Sequence, residues 1–159
     1  METIALFGGS FDPPHIGHEM IVKEALKNLK IDKVVVMPTF LNPFKLSSHI
    51  SAKLRLQRLK ELFKPYKNVE VSSFEVDLKR SVTSIESVHY LLKKYAKIYL
   101  IIGADNLATL HTWTKYNELK SLVTFVIATR NSIKIPDGYL TLQINEDISS
   151  TQIRKTIEH

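Results

Sequence analysis

The chain has 159 residues, 44% of them hydrophobic, and no cysteine, which allows one domain with a buried core and excludes disulfides and thiolate metal sites. Its formal net charge of +6 and sequence pI of about 9.4 suit an anionic partner such as a phosphate ester, a nucleotide or a nucleic acid. No apolar run approaches the roughly 20 residues needed to cross a bilayer, and the start of the chain lacks the basic residues of a signal peptide. We therefore expect one domain over residues 1–159, in the cytoplasm and without a membrane partner.

The first half of the chain predicts two buried strands joined by a helix. The strands are the apolar runs "TIALF" (residues 3–7) and "KVVVM" (33–37). One helix face lies between them, at i, i+3, i+4 and i+7 spacing: Val22, Ala25, Leu26 and Leu29. A loop over residues 39–50 then leads to a helix over residues 51–64, with Ser51 as its N-cap.

The second half repeats the pattern. A short strand at "VEVSSF" (69–74) precedes a helix whose apolar face is formed by Ile85, Val88, Leu92 and Tyr95. Apolar strands follow at residues 98–102 and 123–128, and "YLTLQI" (139–144) is a final strand. Strands that are apolar throughout are buried on both faces. The alternation therefore predicts a doubly wound, Rossmann-like α/β fold, with a parallel sheet and helices on both of its faces.

Polar segments follow four of the predicted strands. They are residues 8–18, 38–45, 103–105 and 130 onward. Because the carboxyl ends of parallel strands share one edge of the sheet, we expect these segments to build one site.

The segment "GGSFDPPHIGH" (residues 8–18) has the composition of a phosphate-binding turn. Gly8 and Gly9 let the backbone turn sharply and approach a phosphate, and Ser10 and Phe11 expose amides. The helix after Pro14 directs its N-terminus to the same place and favours an anion there. A plain turn is the alternative interpretation, since neither standard glycine-rich fingerprint fits.

His15 and His18 lie three residues apart at the predicted helix start, hence on one face. Metal ligation is one interpretation, but no third ligand is obvious nearby. Surface histidines are another. Beside a glycine turn, the two imidazoles could instead donate hydrogen bonds to developing negative charge on phosphate oxygens. The two residues alone leave these interpretations open.

A second phosphate signal lies near the other end of the chain. "SSTQIR" (residues 149–154) predicts a short helix with Ser149 or Ser150 as N-cap, and its hydroxyls and free amides are followed by Arg154 one turn later. An ordinary N-cap with a solvated arginine is the alternative.

Together, "GGSFDPPHIGH" and "ISSTQIR" resemble the two hallmark motifs of the nucleotidyltransferase superfamily, whose members join a phosphate-bearing substrate to a nucleotide and release pyrophosphate. The middle of the chain resembles the bacterial nicotinate-nucleotide adenylyltransferase family. That likeness rests on "IIGADNLATLHTWTKYNEL" (101–119), "NPFK" (42–45), "RLQRLK" (55–60) and "ATRN" (128–131). Ser10 replaces the usual threonine, and "SVTSIES" (81–87) lacks the tyrosine of the family's Ser-Tyr-Thr.

The resemblance implies transfer of AMP from ATP to nicotinate mononucleotide, on the route to NAD, with Mg²⁺ carried by the ATP phosphates and no metal site of the protein's own. The catalytic residues it implies are His15, His18, Lys45 and Arg154. The implied ATP-binding residues are Gly8, Gly9, Ser10, Phe11, His15, His18, Gly103, Asp105, Ser150, Thr151 and Arg154. The implied acceptor-binding residues are Lys45, Thr83, Ser84, Trp113 and Arg130.

An ordinary structural role is the alternative interpretation for three of these residues. Trp113 could pack in the core, Asp105 could cap a helix, and Lys45 could be solvated. Phosphopantetheine adenylyltransferase is the alternative within the superfamily, although that family lacks the context of Trp113. A basic nucleic-acid-binding module is the alternative from another class. Because the basic residues are scattered apart from residues 53–60, we expect no nucleic-acid partner. The sequence leaves the oligomeric state and the strictness for the acid over the amide open.

Overall fold

The structure is a computed structural model that describes residues 1–40, 50–130 and 134–144. Within these ranges the strands are β1 Thr3–Gly9, β2 Lys33–Pro38, β3 Val69–Val71, β4 Lys97–Gly103, β5 Val123–Arg130 and β6 Leu140–Ile144. The α-helices are α1 Ile16–Asn28, α2 Ala52–Phe63, α3 Phe74–Leu78, α4 Ser84–Leu92 and α5 Tyr116–Leu122, and a 3₁₀ helix spans Ala104–Thr112.

The six strands form one sheet in the order β3-β2-β1-β4-β5-β6, and every neighbouring pair is parallel. This is the strand order of the dinucleotide-binding Rossmann fold, in which the chain reverses direction across the sheet between β1 and β4. The predicted doubly wound α/β fold is therefore confirmed. The order also fixes where a ligand is expected, because the crevice at the carboxyl ends of β1 and β4 is the topological switch point.

Alternate residues of the central strands point to opposite faces of the sheet and pack into two separate cores. On one face, Ile4 and Leu6 of β1 join the apolar side of α4, which buries Ile85, Val88 and Leu91. On the other face, Ala5 and Phe7 join α1 and α2, which bury Val22, Ala25, Leu59 and Phe63. Burying each large side chain contributes about 1.5–3 kcal/mol, so both faces need their helices.

Most predicted elements lie where the sequence put them. Ser51 caps α2 as predicted, because its hydroxyl accepts the backbone N–H of Leu54 at 3.2 Å. Two boundaries were wrong. The strand expected over residues 69–74 ends at Val71, and Phe74 begins α3. The helix expected to reach Tyr95 ends at Leu92, although Tyr95 is still buried.

The sequence analysis did not predict the 3₁₀ helix, α3 or α5, each of which is short or lacks a clear apolar period. The loop expected over residues 39–50 lies mostly outside the described residues, and the C-terminal helix expected near Ser149 lies wholly outside them. In the described part of the chain, no helix has the length and apolar character needed to span a bilayer.

Candidate active site

The carboxyl ends of four parallel strands bring the predicted segments to one edge of the sheet. Gly9 ends β1, Pro38 ends β2, Gly103 ends β4 and Arg130 ends β5. The register pairs Gly9 with Pro38 and Gly103 with Ala128, so these ends lie side by side. The described beginnings of the four polar segments therefore lie along one edge of the sheet.

The glycine turn (residues 8–11) leaves β1 beside the switch point. Gly8 is exposed, and a Cβ added there would lie 3.7 Å from the carbonyl oxygen of Met37, an ordinary contact. The fold itself therefore accepts a side chain at position 8. What the bare glycine provides is space at the sheet edge, where a ligand can approach the backbone closely.

Phe11 holds the glycine turn to the core. Its backbone has φ of 51°, a left-handed conformation that bulky residues seldom adopt. Its ring is only 2% exposed and packs edge-on against Phe7, at 5.2 Å between centroids, and against His18, at 4.7 Å. The burial of the ring offsets the cost of the backbone conformation and supports one side of the His18 imidazole.

His15 and His18 cap α1 with each other. Nδ1 of His15 accepts the backbone N–H of Gly17 at 3.0 Å, and Nδ1 of His18 accepts the backbone N–H of His15 at 3.1 Å. The two rings stack with centroids 3.7 Å apart and an angle of 25° between planes. The helix thus begins in a capping box made of two histidines in place of the usual Ser or Thr with Glu.

This capping box fixes the tautomer of the His18 ring. Because Nδ1 of His18 accepts a hydrogen bond, the proton of the neutral ring lies on Nε2. His18 therefore carries an Nε2–H donor at the N-terminus of a 13-residue helix, stacked against the His15 ring. Donors at the positive end of a helix dipole suit the oxygens of a polyphosphate.

His18 is neutral in the free protein. Burial of the ring lowers its pKa to about 3, and the neighbouring His15 lowers it further. The residue as a whole is half-buried. His18 can therefore donate a hydrogen bond near neutral pH without bringing a positive charge of its own.

Gly103 and Asp105 form a close contact at the end of β4. A Cβ added to Gly103 would lie 2.6 Å from Oδ1 of Asp105, so a side chain at position 103 would require the exposed Asp105 carboxylate to move aside. Asp105 is exposed in the first turn of the 3₁₀ helix, where a carboxylate is favourable. The structure therefore places Asp105 at the switch-point edge and also in the helix-start position that the sequence left open.

Thr83, Ser84 and Trp113 line one cavity, although they lie about 30 residues apart in sequence. The cavity has a volume of about 310 Å³, and its lining is completed by Val82, Thr112 and Thr114. Four of its six lining residues carry a hydroxyl, and none is charged. The cavity thus combines one aromatic surface with neutral hydrogen-bond donors, which suits a flat, polar-substituted ring.

The N-terminus of α4 opens into this cavity at Thr83 and Ser84. Glu86 accepts the Thr83 backbone N–H at 2.8 Å and its hydroxyl at 3.2 Å. Arg80 binds Glu86 through both terminal nitrogens, which lowers the pKa of Glu86 to about 2, with help from Thr83. The Thr83 hydroxyl is thus committed to Glu86, which leaves Ser84 and the first helical amides as donors toward a ligand.

Trp113 contacts both the core and the cavity. It packs against the core cluster that contains Leu110 and Leu119, and it also lines the cavity. Its neighbours Thr112 and Thr114 were not predicted as site residues. The stretch "HTWT" could have indicated them, because hydroxyls on both sides of a lone tryptophan are an unusual polar context for a core position.

Several predicted site residues lie outside the described residues: Lys45, Ser150, Thr151 and Arg154. Arg130 ends β5 at the site edge, and its side chain is likewise not described. Among the described residues, no group of three or more His, Cys, Asp or Glu side chains could hold a metal ion.

The sequence and the fold both match known proteins. The family described as Cytidylyltransferase-like matches residues 6–156. A curated protein of Sulfurimonas denitrificans named "Probable nicotinate-nucleotide adenylyltransferase" is 59% identical over 159 residues, which cover 99% of this chain and 87% of that protein. A protein of the same name from Campylobacter jejuni is 52% identical over 156 residues, covering 97% and 86%.

The fold has a solved counterpart at low sequence identity. The structure titled "Plasmodium falciparum nicotinic acid mononucleotide adenylyltransferase complexed with NaAD" aligns with a TM-score of 0.70 at 20% identity. The alignment covers 98% of this chain and 83% of that one. At this identity the likeness shows a shared fold.

Proposed function

We propose that this chain, which belongs to the cytidylyltransferase-like family and within it to the nicotinate-nucleotide adenylyltransferases, transfers the adenylyl group of ATP to nicotinate mononucleotide. An oxygen of the 5′-phosphate bonds to the α-phosphorus of ATP, and the bond from that phosphorus to the bridging oxygen of pyrophosphate breaks. The products are nicotinate adenine dinucleotide and pyrophosphate, as a step of NAD synthesis. The attacking phosphate is already ionised at neutral pH, so positioning and charge stabilisation are what the protein must supply.

The ATP side of the site is the glycine turn with the histidine pair. Gly8 leaves room for a phosphate, and the Nε2–H of His18, beside the His15 imidazole, can donate to its oxygens. Such donors stabilise the negative charge that develops on the α-phosphate and the leaving pyrophosphate. Since His18 is neutral, the countercharge must come from elsewhere, and we propose Lys45 and Arg154 for that part.

Mg²⁺ enters this proposal with the substrate. Magnesium keeps several waters and binds substrate phosphates through few protein carboxylates. The described side chains at the site edge are mainly hydrogen-bond donors, which suits a magnesium–ATP complex whose outer oxygens face the protein. Asp105 is the exposed carboxylate among them.

The acceptor side is the cavity lined by Trp113. The indole provides an apolar surface for the pyridine ring, while Ser84 and the amides at the start of α4 provide donors for the ring carboxylate. An anion at a helix N-terminus is favoured over a neutral group by roughly 0.3–1 kcal/mol at an exposed site, and by more where water is excluded. This supports a preference for the acid over the amide.

The single observation that carries the assignment is this pairing on one edge of the sheet: two stacked histidines at the start of α1, and a tryptophan–hydroxyl cavity at the start of α4. The experiment uses ATP labelled separately at its α- and γ-phosphates. We expect the α label in the dinucleotide and the γ label in pyrophosphate. Release of the γ label as inorganic phosphate, without a labelled dinucleotide, would instead indicate a hydrolase.

We further propose one nucleotidyltransferase domain over residues 1–159 that acts in the cytoplasm, without a nucleic-acid or membrane partner. The single six-stranded sheet supports the domain assignment. The scattered distribution of lysine and arginine supports small anionic substrates rather than a nucleic acid.

A further inference from the structure

Arg55 is a buried guanidinium that the proposed reaction does not use directly. It lies on α2, is only 2% exposed and is among the largest fully buried side chains of the described residues. Burial lowers the pKa of Arg55 and the nearby Asp12 carboxylate raises it, and a guanidinium remains protonated under these conditions. The protein therefore keeps a full positive charge beneath the edge of the sheet.

The guanidinium binds backbone carbonyl oxygens from three separate segments. Nη1 donates to Ser10 at 2.5 Å and to Thr39 at 2.8 Å. Nη2 donates to Phe40 at 2.9 Å, and Nε donates to Ile50 at 3.3 Å. Arg55 thus joins the glycine turn after β1, the exit of β2 and the residues that lead into α2.

These bonds orient the peptide groups of the glycine turn. In a trans peptide, the carbonyl of one residue and the N–H of the next point in opposite directions. The Ser10 carbonyl is held by Arg55, so the Phe11 N–H is directed away from α2. The Gly9 carbonyl is held in the same manner by the Thr39 N–H at 2.9 Å, which directs the Ser10 N–H away from β2.

A purely structural role would not require this arrangement. A buried charge is costly unless it is fully hydrogen-bonded, and apolar residues of similar volume often stabilise a fold equally well. Three of the four hydrogen bonds of Arg55 go to the two loops that end β1 and β2, which are the loops at the proposed ATP site. Its hydrogen bonds fix the position of those loops relative to each other.

We propose that Arg55 is a positioning residue for the ATP triphosphate. Arg55 holds the Phe11 amide in the orientation that a phosphate oxygen requires. The inference rests on the proposed function, because it assigns ATP to the glycine turn. Arg55 acts through the backbone and does not touch the substrate.

The experiment compares Arg55→Met and Arg55→Lys with a matched control, Arg58→Met. Arg58 is exposed one turn further along the same helix. For each protein, circular dichroism and urea unfolding establish the folded state, calorimetry measures binding of inorganic tripolyphosphate, and kinetics give separate KM values for ATP and nicotinate mononucleotide.

We expect both Arg55 variants to weaken tripolyphosphate binding and to raise the KM for ATP by about tenfold or more, since misplacing a positioning group commonly costs on the order of 10–100-fold. The lysine variant keeps the charge but cannot reproduce the four-bond fork, so it should be affected as well. The KM for the acceptor should change less than about twofold, and Arg58→Met should match the wild type.

Folded Arg55 variants with wild-type tripolyphosphate binding and ATP KM would overturn the proposal, and so would an equal rise in both KM values. If Arg55→Met does not fold, Arg55→Lys decides the question alone. Tripolyphosphate binding needs no acceptor, so a failure of the proposed reaction would appear separately, as a wild-type protein that binds tripolyphosphate without transferring an adenylyl group.

Discussion

The rings of His15 and His18 stack 3.7 Å apart, while Nδ1 of His18 holds the backbone N–H of His15. The Nδ1 of each ring helps to begin α1. His18 therefore has two functions, because its Nε2–H can also donate to a ligand. A substitution that removes the whole ring abolishes both functions at once, so the most informative variants remove one function and keep the other.

For His18, we predict that glutamine retains more activity than asparagine or alanine. The asparagine amide can replace Nδ1, and the glutamine amide can reach the position of Nε2. Loss of the Nε2–H donor should lower kcat by on the order of 10²–10³. The measurement is kcat with saturating substrates, alongside circular dichroism to confirm folding. Near-wild-type turnover in His18→Ala would rule out this role.

The acid stability of the protein should depend on His18. Its pKa is about 3 in the folded protein, against about 6.5 in an unfolded chain. Between these values the unfolded state binds more protons, so stability should fall as pH falls from about 6.5 toward 3. Urea midpoints of the wild type and His18→Gln at pH 7 and pH 4.5 test this. The variant should lose less stability over that interval, and an equal loss would contradict the assignment.

Glu75 should have the opposite effect. This carboxyl of α3 is 7% exposed and accepts the Ser87 hydroxyl at 2.7 Å. Burial raises its pKa to about 7, Glu86 adds to the rise, and the Ser87 hydrogen bond opposes it. Since the folded value exceeds the unfolded one, stability should fall as pH rises from about 4.5 through 7.

The test for Glu75 is the variant Glu75→Gln, which keeps a partner for Ser87. It should gain about 1–3 kcal/mol of unfolding free energy at pH 8 relative to its difference from the wild type at pH 4.5. Glu61→Gln, at an exposed position on α2, is the control and should show no such gain. A pH-independent difference between Glu75→Gln and the wild type would show that Glu75 is not titrating in this range.

Gly8→Ala separates the fold from the ligand. The added methyl would lie 3.7 Å from the Met37 carbonyl oxygen, so the variant should fold with stability close to that of the wild type. If a phosphate approaches the turn closely, the methyl should raise the KM for ATP by about tenfold or more while the acceptor KM stays near its original value. A fully active Gly8→Ala would place the phosphates elsewhere.

Substitution of Trp113 should weaken binding of the acceptor and leave ATP binding nearly unchanged. Trp113→Ala removes the aromatic wall of the cavity and should weaken nicotinate mononucleotide binding with little effect on ATP, and Trp113→Phe should be milder. Ser84→Ala should narrow the preference for the acid over the amide, because it removes a donor at the start of α4. A change in the ATP KM alone would show that the cavity has been assigned to the wrong substrate.

The sheet was predictable from the sequence because strands such as residues 98–102 and 123–128 are apolar throughout. This pattern arises when both faces of a parallel sheet are covered by helices. The short elements were not predictable, since α3 has only five residues and the 3₁₀ helix has no 3.6-residue period.

Within the candidate site, the motifs selected residues but could not predict the hydrogen bonds of those residues. The sequence placed His15 and His18 on one face, yet the reciprocal caps and the stacking emerge only in three dimensions. Arg55 could be noticed in "RLQRLK", but its burial depends on loops 15 and 45 residues away. Lys45, Arg130 and Arg154 stay predictions from the sequence.

The most direct test of the central claim is pyrophosphate release with ATP and one acceptor at a time: nicotinate mononucleotide, nicotinamide mononucleotide, 4′-phosphopantetheine or a short RNA. Identical enzyme and magnesium concentrations make the kcat/KM values comparable. We predict rapid release with nicotinate mononucleotide, clearly slower release with the amide, and none above background with the other two. Equal use of the two mononucleotides would contradict the acceptor cavity as described, and release with 4′-phosphopantetheine alone would contradict the proposed function itself.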